Sequence, residues 1–319
     1  MRLVFMGTPA FAVPSIQALL ANGFHIVLVI TQPDRPKGRG GRTALPPVKE
    51  FAASHGIPVL QPERLKKQTF LDRLRTAAPD AIIVAAYGKI LPLEILTLPR
   101  LGCINVHASL LPKYRGAAPI QRALMNGERE TGVTIMLMDE GMDAGDILLQ
   151  RPVPILNDDN FGSLSERLSR LGAELLIETL RRLEGNRLKP LPQDHSQASY
   201  APPLTPSDEI ISWHLPAGAI RNKVRALDPL PGARTLLSGK ILKIWRVSVR
   251  TGDFPGEPGE ILEISDEGII VRAGEGAVAV HELQLAGGRR LQAAAFLRGH
   301  PLRGGNVLGG ENSRSTVKS

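Results

Sequence analysis

Ala81–Ala86 is an apolar run without a polar break, and no other feature limits the fold of this chain so sharply. A strand with one face in water alternates apolar and polar residues. An unbroken run belongs to a strand covered on both faces, as inside a parallel sheet. Arg2–Met6, His25–Thr31, Ile57–Leu60 and Cys103–His107 read as companion strands. Helical stretches separate them near Phe11–Ala21, Pro47–His55 and Thr69–Ala77. A helix over Ala117–Met125, strands over Thr131–Met138 and Asp146–Pro152, and a long amphipathic helix over Ser163–Leu183 complete the pattern. The alternation predicts an α/β fold for residues 1–188, a doubly wound, mostly parallel sheet.

The pattern changes after Leu188. Pro190, Pro192, Pro202, Pro203 and Pro206 stand among Gln, Ser and Asp, and residues 189–207 are predicted to be an extended linker. One helix is expected over Pro216–Ala226. Short β runs follow over Gly239–Val249, Gly259–Ser265, Gly268–Ala273 and Gly276–Gln284, each bounded by Gly, Pro or Asp. Residues 208–305 therefore read as a small β-barrel domain of OB-fold character. Residues 306–319, rich in Gly, Asn and Ser, are expected to form a flexible tail.

Charge and cysteine content narrow the function. The formal net charge is +8, which favours an anionic partner, nucleic acid first among them. Between residues 33 and 49 stand Arg35, Lys37, Arg39, Arg42 and Lys49 against one acid, Asp34. The lone cysteine, Cys103, rules out an internal disulfide framework and suits a reducing compartment. No apolar run has the length of a membrane span, and the N-terminus has no signal-peptide architecture, so a cytoplasmic protein without membrane contact is expected.

Chemistry concentrates at Asn105-Val106-His107, followed by Ala108-Ser109-Leu110-Leu111-Pro112. Residues two apart on a strand share a face, so a carboxamide and an imidazole converge at the carboxyl end of a strand, where open α/β sheets bind ligands. Taken alone, the same pair also fits a capped strand end and a satisfied core histidine. Gly7-Thr8-Pro9 fills the first strand-to-helix turn, but a second glycine for close pyrophosphate approach is missing, so a nicotinamide cofactor is not expected. The loop Tyr87-Gly88-Lys89-Ile90-Leu91-Pro92 follows a buried strand and can offer backbone groups to a flat heterocycle. The acidic turn from Asp139 to Asp146 lacks calcium-loop spacing, and the chain has no Cys/His cluster for zinc, so no metal is expected. A carboxylate of this turn can instead orient an imidazole.

These blocks together, with Gln32-Pro33-Asp34-Arg35-Pro36, Tyr114-Arg115-Gly116-Ala117-Ala118-Pro119, Gly141-Met142-Asp143, Tyr200-Ala201-Pro202 and Asp228-Pro229-Leu230-Pro231-Gly232, resemble the methionyl-tRNA formyltransferase family over about residues 1–305. One departure stands out. Leu230 and Ala233–Arg234 occupy positions where the family often carries tryptophan, so no aromatic stacking on RNA is expected there.

The resemblance implies an enzyme of translation initiation. The α-amino group of methionyl initiator tRNA attacks the formyl carbon of 10-formyltetrahydrofolate, a co-substrate. Asn105, His107 and Asp143 are the implied catalytic residues. Asn105 can donate to the oxyanion. His107 can donate to the same oxygen or shuttle a proton, and Asp143 can hold His107 or take the proton through a water. Tyr87, Gly88, Ile90, Leu91, Pro92, Ser109, Leu110, Leu111, Pro112, Asp139, Gly141 and Asp146 are the implied folate pocket. Arg39 is the implied reader of the acceptor-stem end, with Arg35, Lys37 and Arg42 on phosphates. A monomer is the family expectation. Two other readings compete: a nucleic-acid-binding module on an inactive formyltransferase fold, and a formyltransferase acting on a nucleotide sugar.

Overall fold

A computed structural model describes residues 1–36, 43–265 and 268–309. Lys37, Arg39 and Arg42 of the basic stretch lie outside the described residues. The chain forms two compact units: residues 1–119, 130–154 and 165–202 in the first, and residues 120–129, 155–164 and 203–319 in the second.

In the first unit, strands β1 (Arg2–Gly7) and β2 (His25–Ile30) flank helix α1 (Val13–Ala21) in sequence. A two-residue ladder, β3 (Arg35–Pro36) with β4 (Thr43–Ala44), precedes helix α2 (Pro47–Ser54). Next come β5 (Val59–Leu60), α3 (Gln68–Ala77), β6 (Ala81–Ala85), a short α4 (Leu93–Leu96) and β7 (Cys103–His107). Strands β8 (Glu130–Leu137) and β9 (Ile147–Pro154) and most of α6 (Phe161–Glu184) follow, while the intervening helix α5 (Pro119–Met125) belongs almost wholly to the second unit. The sheet order is β5-β2-β1-β6-β7-β8-β9. The pairs from β5 to β7 are parallel, and β8 and β9 are antiparallel. The mostly parallel sheet expected from the apolar runs is present, with an antiparallel edge.

Both faces of this sheet are covered. Val4, Met6, Ile82, Val84 and Cys103 pack with Phe70, Leu71 and Leu74 of α3 on one face. On the other, Gly172 of α6 lies so close to β7 and β8 that an added Cβ would stand 2.7 Å from Val106 Cγ1. Since side chains alternate along a strand, Asn105 and His107 share the face of Cys103, opposite Val106. Successive strands are added in one sense from β1 to β5 and in the opposite sense from β6, so the strand order switches between β1 and β6, and the carboxyl ends of β1, β6 and β7 form one rim.

In the second unit, α7 (Ala217–Ala226) buries Ala217, Ile220 and Val224 at helical spacing. The antiparallel sheet runs β10 (Ala233–Leu237), β11 (Lys240–Arg250), β14 (Ala277–Leu285), β13 (Gly268–Arg272) and β12 (Ile261–Ser265), with β15 (Leu291–Gln292) on β14 and α8 (Ala293–Gly299) last. Past Gly304 the chain still pairs. Leu308 N–H donates to Gly259 O at 2.8 Å and Leu308 is only 4% exposed, so the expected tail cannot begin at residue 306. At the Asp228–Gly232 turn, buried Asp228 accepts from Arg290 Nη1 at 2.7 Å and from Asn160 Nδ2 at 2.8 Å. Trp245 is buried beneath Lys243 and Arg290.

Among the described residues, no helix is long and apolar enough to cross a membrane. Among the same residues, no three His, Cys, Asp or Glu side chains gather as a metal site requires.

Candidate active site

Three polar side chains converge past the end of β7. Asn105 Nδ2 donates to Asp143 Oδ1 at 3.2 Å, and His107 Nδ1 lies 3.6 Å from Asp143 Oδ2. Asp143 Oδ2 also accepts from Gly116 N–H at 2.9 Å. A carboxylate only accepts, so the amide nitrogen of Asn105 must face Asp143, which leaves its second N–H for another acceptor. His107 Nε2 sits 3.0 Å from the Tyr114 carbonyl. That carbonyl also only accepts, so Nε2 carries the proton and Nδ1 is the nitrogen turned toward Asp143. A hydrogen bond between Nδ1 and Oδ2 then requires one further proton, held by the imidazole or the carboxylate.

Local backbone geometry makes this meeting possible. Asp143 and Tyr114 both adopt the left-handed region, with φ of 49° and 61°, where non-glycine residues are held only by their surroundings. Gly145 in the Asp143 turn lies so close to β8 that an added Cβ would stand 2.0 Å from the Leu137 carbonyl oxygen. Only glycine lets the turn fold back to this depth. Asp139 Oδ1 accepts from Gly141 N–H at 2.9 Å and closes the first half of the turn.

The expected folate residues divide into supports and exposed groups. Ser109 is buried and donates to the Lys113 carbonyl at 2.6 Å, so its hydroxyl shapes the turn from within. The backbone of that turn is held by Thr134, which donates to Ser109 O and accepts from Leu111 N–H. Leu111 is buried, while Leu110 and Pro112 are half-buried. Tyr87 and Leu91 are buried anchors of their loop, Pro92 is half-buried, and Gly88 and Ile90 are exposed, Ile90 to 83%. Burial pushes the Tyr87 hydroxyl up to about 12, and the Tyr87 carbonyl accepts from Gln32 Nε2 at 3.0 Å. Asp139 and Gly141 are exposed and Asp146 is half-buried.

Arg35 is exposed at the start of β3. At the base of the basic stretch, Lys49 pairs with Asp34 at 2.6 Å and also donates to Gln61. Hydrogen bonds from Lys49 and Gln61 hold the Asp34 carboxyl below its ordinary range. Lys49 is thus engaged within the unit.

Two further side chains support the site: Arg115, inside the Tyr114–Pro119 motif, and Gln193, which no motif marks. Arg115 and Gln193 are 3% and 6% exposed, and the guanidinium donates to Gln193 Oε1 through Nε at 3.1 Å and Nη2 at 2.7 Å. Gln193 belongs to the proline-rich stretch expected as linker. That stretch runs along the first unit. Arg115 N–H donates to Ser199 O at 2.8 Å, Ala201 N–H donates to Arg115 O at 2.7 Å, and Tyr114 N–H donates to Ser199 Oγ at 2.9 Å. Its only sequence signal is the Tyr200-Ala201-Pro202 motif nearby.

Comparison with known proteins places these features. Residues 1–180 match the formyl transferase family model and residues 203–301 match the formyl transferase C-terminal domain model. The methionyl-tRNA formyltransferase of Syntrophus aciditrophicus is 51% identical over 307 residues, which covers 96% of this chain and 98% of that relative. Among solved structures, HypX from Aquifex aeolicus in complex with tetrahydrofolic acid is similar in fold, with a TM-score of 0.65 at 22% identity, covering 93% of this chain and 47% of that one. Methionyl-tRNA formyltransferase from Clostridium thermocellum also shares the fold, with a TM-score of 0.54 at 17% identity, covering 79% of this chain and 95% of that one.

Proposed function

The chain belongs to the methionyl-tRNA formyltransferase family, and from that premise we propose that it formylates the α-amino group of methionyl initiator tRNA, with 10-formyltetrahydrofolate as donor, at the Asn105–His107–Asp143 rim. The convergence of those three side chains carries the reading. The exposed Gly88–Ile90 backbone and the Ile90 side chain fit the face of a flat heterocycle, and Leu110 and Pro112 add apolar surface.

The chemistry needs an oxyanion donor and a path for one proton. The amine nitrogen bonds to the formyl carbon, the bond from that carbon to the donor's nitrogen breaks, and a proton of the amine ends on the leaving nitrogen. Asn105 offers its second Nδ2–H to the oxygen that becomes negative. Asp143 and His107 Nδ1 take the proton and return it, while the Tyr114 carbonyl keeps the imidazole in register. The pair works as one acceptor; either member or a bridging water fills the role of base.

Residues 1–188 carry the chemistry and residues 208–305 the tRNA contact in this reading. Arg39 reads the end of the acceptor stem, and Arg35, Lys37 and Arg42 lie against phosphates. The protein acts as a monomer in the cytoplasm. Identity of 51% to a methionyl-tRNA enzyme favours charged tRNA over a sugar nucleotide as acceptor. An acceptor competition tests this. With labelled 10-formyltetrahydrofolate, label should appear on methionyl initiator tRNA; transfer to an amino-sugar nucleotide with none to the tRNA would overturn the reading.

A further inference from the structure

The Asp143 turn is held from behind by a directional relay. Gln193 Nε2 donates to the Asp143 carbonyl at 2.9 Å and to the Gly145 carbonyl at 2.7 Å. Its Oε1 accepts both bonds from Arg115. A guanidinium cannot accept, so Arg115 fixes which end of the carboxamide faces the turn. Arg115 in turn lies between Tyr114, whose carbonyl fixes His107, and Gly116, whose N–H fixes the Asp143 carboxylate. One short segment thus sets the imidazole, the carboxylate and, through Gln193, the backbone that bears the carboxylate.

We propose that Gln193 is a positioning residue for formyl transfer, oriented by Arg115 to hold Asp143 in its left-handed conformation within reach of Asn105 and His107. Three observations support it. Gln193 is nearly fully buried, although it comes from a stretch whose composition is that of a linker. Both carbonyls it binds flank the residue pair that turns Asp143 inward. And it lies between the two matched family regions, which end at residue 180 and resume at residue 203. A carboxamide is the side chain of this length that accepts on one side and donates twice on the other. Glutamate would keep the bond to Arg115 but set an oxygen against two carbonyl oxygens.

This inference rests on the proposed role of Asp143, and the test separates the two. Single-turnover formylation, KM for charged tRNA and thermal stability are measured for Gln193→Ala and Gln193→Glu, each in the wild-type and the Asp143→Ala background. In the wild-type background Gln193→Ala should slow transfer roughly 10- to 100-fold, the scale of a small misplacement of a reacting group. KM should stay within about threefold, since ground-state binding is not what is lost. Gln193→Glu, whose pairing with Arg115 favours folding, should be at least as slow. In the Asp143→Ala background neither should change the residual rate by more than about twofold, because the group being positioned is gone. An equal loss in both backgrounds would make Gln193 a merely structural residue and overturn the proposal, as would a wild-type rate for Gln193→Glu. If Asp143→Ala alone kept a wild-type rate, the role of Asp143 would fall first and this proposal with it.

Discussion

Replacing Asp143 by asparagine isolates what the carboxylate does, because size is kept and one acceptor is lost. The two oxygens serve different partners: Oδ1 takes Asn105 Nδ2 at 3.2 Å, and Oδ2 takes Gly116 N–H at 2.9 Å beside His107 Nδ1. A carboxamide has a single acceptor. If it serves Gly116, its NH2 meets the NH2 of Asn105, and Asn105 must turn and withdraw its N–H from the reacting oxygen. Loss of one such donor costs about 10²–10³ in kcat. Loss of the proton acceptor costs about 10²–10⁴. Groups that act as a unit do not multiply, so kcat should fall roughly 10³- to 10⁴-fold, or about 4–5.5 kcal/mol of barrier. Rapid-quench formylation of labelled methionyl-tRNA measures this, with KM for the tRNA expected within about threefold of wild type. A fall smaller than tenfold in a folded Asp143→Asn protein would show that the carboxylate neither orients Asn105 nor takes the proton.

Other consequences can be checked separately. Cys103 is the only cysteine, and burial pushes its thiol up to about 12, so a thiol reagent at neutral pH should leave the native protein unmodified and label it fully in denaturant; rapid native labelling would contradict the packing of β7. In the second unit, the Arg122 guanidinium grips Asp208 with two hydrogen bonds and holds its carboxyl well below the usual carboxylate range. A depressed folded value stabilises above the unfolded carboxylate pKa and is lost as pH falls through the folded one, so the stability gap between wild type and Asp208→Asn should be full at pH 7, about 1 kcal/mol, and shrink below about pH 4. Unequal melting temperatures that persist unchanged at pH 2 would contradict it. In the basic stretch, Arg39→Ala should weaken discrimination between initiator and elongator tRNA, whereas Lys37→Ala should weaken both about equally and lower the salt slope by about one. Initiator preference that survives Arg39→Ala would remove that residue as reader.

The sequence made the sheet legible because its strands are buried on both faces and therefore read as apolar runs, with Ala81–Ala85 the plainest. Asn105 and His107 were legible because a period of two dictates a shared face whatever the tertiary context. Their partner across 38 residues, Asp143, needed the family motif, since no local rule brings an acidic turn back to β7. Gln193 was not legible. Its neighbours Pro190 and Pro192 suit a linker equally well, and the extended backbone they enforce is also what lets the stretch lie along Arg115. Strand β10 and helix α8 were missed for a related reason. Ala233–Leu237 follows a Pro-Gly turn and is short, and Ala293–Gly299 has one fully buried large apolar residue, Phe296, with only Leu297 half-buried beside it, and no side-chain cap. The persistence of pairing to Gly309 depends on contacts with Gly259 and Leu236, which are remote in sequence.

In the proposed reaction Asn105, His107 and Asp143 act on bound reactants and do not serve to bind them. The most direct test is to measure, for Asn105→Ala, His107→Ala and Asp143→Ala, both the affinity for 10-formyltetrahydrofolate and charged tRNA and the single-turnover rate of formyl transfer. Affinities within about threefold of wild type, with each rate lower by at least about 10²-fold, are expected. Rates that recover to within tenfold of wild type once both reactants saturate the variants would make the three side chains binding groups instead.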